Sequence, residues 1–405
     1  MLLKMAFQNI LRNRKRTIIT LTAVFFGVFL TIVANGFNKG LEWQIKNLYT
    51  KTDTSDFKIV AHNYVIDELK NPIQYPIKDD VALTRILMGD RIVKSFSPRI
   101  SFYGSLSNGI DEIRSLGIGV DPVLEDAVFH RSRSIVSGRF LKRYEEGIVI
   151  GEQLAKLLNL GVGDTITLIA QATEMGTNAY DIVIKGLIRT GNPLIDGGAF
   201  FIPDGLARNF LSIRGVTDIA VAVNQKASIQ QMEATIGRQV SGEKIKILSW
   251  RDYAKDYIPL IEMRKKMIGV LTGMILLIAA AGIMNTMLMA MMERKWEIGN
   301  LMAMGVRPLE ILNLFLQEGM IIGFLGSLIG VIIGSAIVYY FQFNGIAVNG
   351  LSDVAVAGKL YTYVDIGQVI TSFFMGLIVA TLSTVYPAVK SASMHPVEAI
   401  QGRRG

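Results

Sequence analysis

The side chains best placed to do chemistry gather in one short stretch. It reads Met292-Glu293-Arg294-Lys295-Trp296-Glu297-Ile298-Gly299-Asn300-Leu301-Met302-Ala303-Met304-Gly305. At helical spacing Glu293, Arg294 and Glu297 make a polar face, and Ile298, Leu301 and Met302 make an apolar one. Such a helix can dock in a partner's groove or lie on the membrane as a loop helix, and in neither role does it make or break a bond. Glu318, beside Gln317, opens a long apolar run. An acid inside a membrane span marks a transport path, and at the edge of one it contacts the neighbouring loop.

Bond-making chemistry finds little support elsewhere. There is no G-x-x-x-x-G-K-[ST] phosphate loop, no G-x-S-x-G elbow and no H-E-x-x-H. His62, His130 and His395 are isolated, and the acid pairs Asp79-Asp80 and Glu145-Glu146 read as solvated turns. Without cysteine, disulfides and thiolate metal sites are excluded. The chain is expected to be no enzyme and to bind no metal or cofactor of its own.

The elements that must position the charged stretch follow from composition. Of 405 residues, 50% are apolar and 19% charged, which excludes a disordered chain. The net charge is +8, and its excess flanks the apolar runs. A nucleic-acid partner is not expected, since a binder would carry that excess on its soluble domain.

A membrane-spanning helix needs about 20 apolar residues. Ile18–Phe37, Ile268–Met292, a stretch within Ile311–Phe341 and Ile366–Tyr386 satisfy this. Lys4, Arg12, Arg14, Lys15 and Arg16 precede the first; Arg294, Lys295 and Arg307 separate the second and third; Lys390, Arg403 and Arg404 follow the fourth. Cytosolic loops carry the Lys and Arg excess, so both termini are expected in the cytosol of a multi-pass inner-membrane protein. Glycines Gly319, Gly323, Gly326, Gly330 and Gly334 allow close helix packing. Residues 2–11 are expected to form an interfacial amphipathic helix.

The division expected is 1–52 for the interfacial helix, first span and stalk, 53–255 for an extracytoplasmic α/β domain, and 256–405 for the second stalk and three spans. The fold class is thus an α-helical membrane protein with four transmembrane helices and an α/β domain between the first two. In that domain Asp56–His62, Ile92–Phe102, Ser115–Val120, Ile148–Ile150, Thr165–Ala170, Asp181–Ile188 and Thr217–Val223 predict strands. Gly151–Leu160, Pro203–Leu211 and Ser228–Val240 predict helices. Leu154, Leu157 and Leu158 are expected to be buried, with Gly161 as the helix stop.

The charged stretch resembles the permeases of the MacB/FtsX/lipoprotein-releasing class of ABC transporters. The family pattern E-R-x-x-E-I-G followed by A-x-G stands here as Glu293-Arg294, Glu297-Ile298-Gly299 and Ala303-Met304-Gly305. Asn9-Ile10-Leu11-Arg12 through Arg16-Thr17, Gly138-Arg139-Phe140 through Val162-Gly163-Asp164, and Tyr386-Pro387-Ala388 through Glu398-Ala399 are similar to the same family. Val183–Pro203 is similar to the lipoprotein-releasing, LolC/LolE-like subgroup. In one member of that subgroup a proline-bearing hook recruits a periplasmic carrier; the loop Gln171–Tyr180 here holds Met175 and Gly176 but no proline.

The resemblance implies mechanotransmission driven by a separate cytosolic ABC ATPase dimer, which holds the ATP and Mg. Residues 293–305 would be the coupling helix, with Glu293, Arg294, Glu297, Ile298, Gly299 and Gly305 as ATPase-coupling residues. A second permease, identical or related, would stand alongside. The cargo would be a lipoprotein taken from the membrane lipids, lined by Phe25, Phe29, Met284 and Met287, with Met175 and Gly176 as carrier contacts. Efflux of the MacB type and an FtsX-type transmembrane signal relay are the alternatives.

Overall fold

The computed structural model describes residues 12, 14–64, 66, 71–172, 176–224, 245–255, 257–347 and 359–394. The helices expected at 2–11 and Ser228–Val240, together with Met175, His395 and Glu398-Ala399, lie outside the described residues.

In chain order, α1 (Arg14–Thr52) leads to β1 (Phe57–Ala61), α2 (Asp80–Gly89), β2 (Val93–Ser107), β3 (Glu112–Val120), α3 (Pro122–Phe129), β4 (Ile135–Gly138) and β5 (Ile148–Gly151). Then come α4 (Glu152–Leu157), β6 (Thr165–Ala172), β7 (Gly176–Ile188), α5 (Pro193–Asp196), β8 (Ala199–Pro203), α6 (Asp204–Leu211), β9 (Asp218–Val223), β10 (Ile245–Leu248) and α7 (Trp250–Tyr253). The chain closes with α8 (Tyr257–Glu293), α9 (Lys295–Ala303), α10 (Pro308–Asn344), β11 (Ile346–Ala347), β12 (Lys359–Leu360), α11 (Ile366–Ser383) and α12 (Val385–Ala392). The described residues form two compact units, one within 44–258 and the other made of 12–43, 259–347 and 359–394.

In the 44–258 unit a ten-stranded mixed sheet runs β10-β1-β9-β2-β3-β8-β5-β7-β4, and β6 pairs with β2 and β7. Ile59, Ile100, Phe102, Leu106, Ile148, Ile150, Leu168, Ile184, Phe200 and Ile219 fill its main core. The run Ala199–Pro203 is buried throughout, because β8 lies between β3, which it pairs in parallel, and β5, which it pairs antiparallel. A strand covered on both faces shows no alternation, so sequence pattern passes over it.

Several expectations need correction. Gln171, Ala172 and Gly176–Tyr180, expected in a loop, are strand residues: β6 and β7 pair antiparallel as far as Ala172 opposite Gly176. The helix after β5 stops at Leu157, and Leu157 itself is 61% exposed. Its stop is Asn159, left-handed at φ 53°, and not Gly161. Asparagine tolerates that conformation because its short polar side chain bonds locally. Helix α3 escapes a reading based on apolar spacing because its signal is a cap. The Asp121 carboxylate accepts from the amides of Val123 and Leu124, ahead of Pro122 at the first helical position.

Charged groups also lie inside this unit. Arg99 Nε and Nη2 donate to the Glu125 carboxylate at 2.9 and 2.6 Å, and Arg131 Nε donates to it at 3.0 Å. Both guanidiniums lie over the Phe129 ring, at 4.2 and 4.6 Å. Lys58 Nζ lies 2.9 Å from Asp53 and 3.4 Å from Asp218. Burial pushes the Glu125 carboxyl up, but Arg99 and Arg131 outweigh it and hold the group below its ordinary value. Asp53 is likewise lowered, with Lys58 and Arg99 overcoming burial.

Replacing Glu125 by Ala leaves two guanidiniums without their carboxylate and should cost about 3–5 kcal/mol of stability. Chemical unfolding of the full chain, followed by tryptophan fluorescence, measures it. A lowered carboxyl pKa contributes stability above the ordinary carboxylate range and loses it as pH falls through the folded value. The unit should therefore unfold more readily under acid, and Glu125→Gln should flatten that acid limb.

Candidate functional site

Among the described residues, four helices are long and apolar enough to span a membrane, within Thr17–Thr52, Tyr257–Glu293, Pro308–Asn344 and Ile366–Ala392. Glycine sets how closely three of them pack. A Cβ added at Gly326 or Gly330 of α10 would lie 2.8 or 3.0 Å from the Cβ of Val24 or Val28 on α1, and one at Gly334 would lie 3.2 Å from Ile32. One helical turn on, the roles reverse: Gly36 of α1 receives Val338. A Cβ added at Gly319 or Gly323 would lie 2.4 or 2.8 Å from the side chain of Thr384 or Ala380. The glycines expected to allow packing thus serve two faces of α10.

Helix α8 packs differently. Its buried residues are Thr272, Leu276, Ala279, Ile283, Met287, Ala290 and Met291, and none of the described side chains from Tyr257 to Leu271 is buried. Among the residues expected to line cargo, Phe25 and Phe29 stack at 5.5 Å on α1, and Met284 is 37% exposed. Met287 is 4% exposed and packs in a cluster with Val24, Val28, Ile32 and Ile283. It is a packing residue between helices and faces no open surface.

The charged stretch forms a helix-turn-helix. The turn between α8 and α9 falls at Arg294. Beyond α9, Gly305 turns left-handed at φ 94°, where a side chain would be strained. Arg307 then caps α10, its amide donating to Glu310 at 3.0 Å, with Pro308 in the first turn.

Two of the six expected coupling residues face inward with their side chains. Arg294 Nη1 donates to Glu318 at 3.0 Å, the two side chains 8% and 5% exposed. Ile298 packs with Met291, Ile311, Phe315 and Ala388. Gly299 is also buried. The polar face expected of Arg294 is corrected by spacing: 294, 298 and 302 stand four apart, so they share the buried face. Glu318 is therefore the partner of the α9 junction.

Glu293, Glu297 and Gly305 remain exposed. Glu297 accepts from Arg12 Nη2 at 2.9 and 3.0 Å. Beside them stand Trp296, Met304 and Leu309, 47%, 73% and 70% exposed. These three were not among the expected site residues. The signal available was three large apolar side chains around a charged turn, which a solvated loop does not need.

Gly330→Leu should overpack the α1–α10 contact and cost about 1–3 kcal/mol. Gly273→Leu has nothing within 4 Å of the added Cβ and should leave stability unchanged. Thermal unfolding of the detergent-solubilised protein compares the two.

Residues 17–239, more than half the chain, match the family model of the MacB-like periplasmic core domain, and residues 269–396 match the FtsX-like permease C-terminal model. The chain is similar to the lipoprotein-releasing system transmembrane protein LolC of Neisseria meningitidis, 24% identical over 96% of this chain and 97% of that protein. It is 22% identical to the macrolide export ATP-binding/permease protein MacB of Bdellovibrio bacteriovorus, over 98% of this chain and 61% of the longer relative. It is also 22% identical to the ABC transporter permease YknZ of Bacillus subtilis, over 98% of both chains. With a MacB-like core domain and an FtsX-like membrane portion on one chain, the protein belongs to the FtsX/MacB-like family of ABC transporter permeases.

Proposed function

We propose that the chain is the permease subunit of an ATP-driven mechanotransmission transporter that extracts lipoproteins from the bacterial inner membrane for transfer toward the outer membrane. The observation that carries the coupling half of this reading is the α9 turn. A buried ion pair and an apolar cluster fix its inner face, while Glu293, Trp296, Glu297, Met304 and Leu309 stand outward. A rigid helix with an apolar and acidic outer face suits a groove on a cytosolic ABC ATPase dimer. ATP and Mg are bound by that dimer, and this chain contributes the surface that follows its closure. Arg294, Ile298 and Gly299 hold the helix in place, and the exposed residues make the contact.

The lipoprotein half rests on the end-to-end similarity to LolC. Both termini are cytosolic in this reading, because the Lys and Arg excess lies on the α9 side of the spans. Helix α8 supplies the face for a second permease: Leu260, Met263, Met267, Val270, Met274 and Leu277 recur at alternating steps of three and four and are all exposed. Cargo acyl chains enter beside Phe25, Phe26 and Phe29 on α1. Gly176, the first residue of β7, marks the hairpin that faces a periplasmic carrier.

Met304→Glu and Glu297→Lys should each lower recovery of the ATPase on the affinity-purified permease, with the amount of folded permease unchanged. Unaltered recovery in both removes α9 as the docking helix. Purification of the untouched complex, with mass spectrometry of its proteins and lipids, tests the cargo. An ATPase together with lipidated protein is expected. An ATPase with an outer-membrane duct or a cell-wall hydrolase instead assigns efflux or signalling.

A further inference from the structure

Lys58, Arg99, Arg131, Asp53, Glu125 and Asp218 bring three cations and three anions together inside the 44–258 unit. Apolar residues of the same volume often stabilise a core as well as such a cluster does, so stability alone does not account for it. What the cluster grips is more telling. Arg131 Nη2 donates to the carbonyl of Thr52 at 2.5 Å, and Arg99 Nη1 donates to the carbonyl of Asp53 at 2.8 Å. Thr52 is the last residue of α1. The final carbonyls of a helix lack intrahelical donors and carry partial negative charge; here Arg131 takes the last of them and Arg99 takes the carbonyl of the next residue. Asn192 adds a third tie, its Nδ2 donating to Thr52 Oγ1 at 2.7 Å.

The other chain crossing converges on the same place. Lys58, paired with Asp53 and Asp218, lies 4.9 Å from the centre of the Tyr253 ring. Tyr253 ends α7, and the amides of Tyr257 and Ile258 at the start of α8 donate to the carbonyl of Ala254, each at 3.0 Å. The residues that receive these two ends sit on consecutive strands: Lys58 on β1, Asp218 on β9 and Arg99 on β2. Glu125, from α3, holds Arg99 by two donors and Arg131 by one. A planar guanidinium held at several nitrogens resists rotation as a lysine ammonium does not.

We propose that this buried cluster is the joint that fastens the end of α1 and the lead-in to α8 to the β1, β9 and β2 strands, so that displacement of the two helices reaches the sheet as one movement. The proposal rests on the mechanotransmission reading. Arg99 and Arg131 are its positioning residues, and Glu125 keeps both aimed at the helix end.

The chain has no cysteine, so paired spin labels go only where they are placed. Two variants probe the joint. Arg131→Lys keeps the charge and loses the fork. The triple change Arg99→Met, Glu125→Met and Arg131→Met removes the charges together and keeps the volume. The first measurement needs no ATPase: labels at Lys51→Cys and Val136→Cys of the full chain report how firmly the helix end is held. A narrow distance distribution in the parent that broadens in both variants is expected. An unchanged distribution overturns the joint.

The second measurement uses the complex with its ATPase and labels at Tyr144→Cys and Val389→Cys. The parent should shift its distance on adding ATP, and the triple variant should lose the shift while still hydrolysing ATP. Equal shifts in parent and variant overturn the joint and leave mechanotransmission standing. No shift in the parent overturns the mechanotransmission reading, and with it the role of the cluster in transmission.

Discussion

A charge taken out of water must be neutralised where it lies, and this constraint governs both units. In the 44–258 unit it gathers residues far apart in sequence, from Asp53 to Asp218, around the end of α1. In the helical unit it joins Arg294, at the α8–α9 turn, to Glu318 on α10. In each case a long helix ends or bends where a buried ion pair is made. Apolar packing is tolerant of small slides along a helix, whereas a guanidinium bonded to a carboxylate fixes position and orientation together.

Between those anchored points, packing is set by size. The α1–α10 contact alternates a glycine on one helix with a branched side chain on the other, from Gly326 and Val24 to Gly36 and Val338. In a bilayer, water no longer drives apolar helices together, so close van der Waals contact carries the association. Helix α8 lacks such a seam in its first half. Its large apolar residues there are exposed, which leaves that half available to lipid or to another permease.

The outward face of α9 derives its rigidity from this arrangement. Glu297 meets Arg12 at the surface, where an ion pair is worth at most about 1 kcal/mol; it orients the face without holding it. The holding is done by Arg294, Ile298 and Gly299 beneath. Residues of one motif therefore divide between a buried side and an exposed one, although they look alike as a string of letters.

Much of this was legible from the residues. Four long apolar runs, their basic flanks and the alternating strands follow from local periodicity, because a helix crossing lipid and a half-buried strand each impose a repeat on neighbouring positions. What local pattern cannot carry is pairing across distance. That β8 is a central strand, that Gln171, Ala172 and Gly176–Tyr180 lie in paired strands, that Met287 packs inward and that Arg294 turns to Glu318 depend on partners brought up by the fold. The sequence by itself determined which segments enter the membrane and which family the chain resembles. Only the tertiary structure decided which charges are buried together, because the energy of a desolvated charge depends on what lies beside it in space and not on its neighbours in the chain.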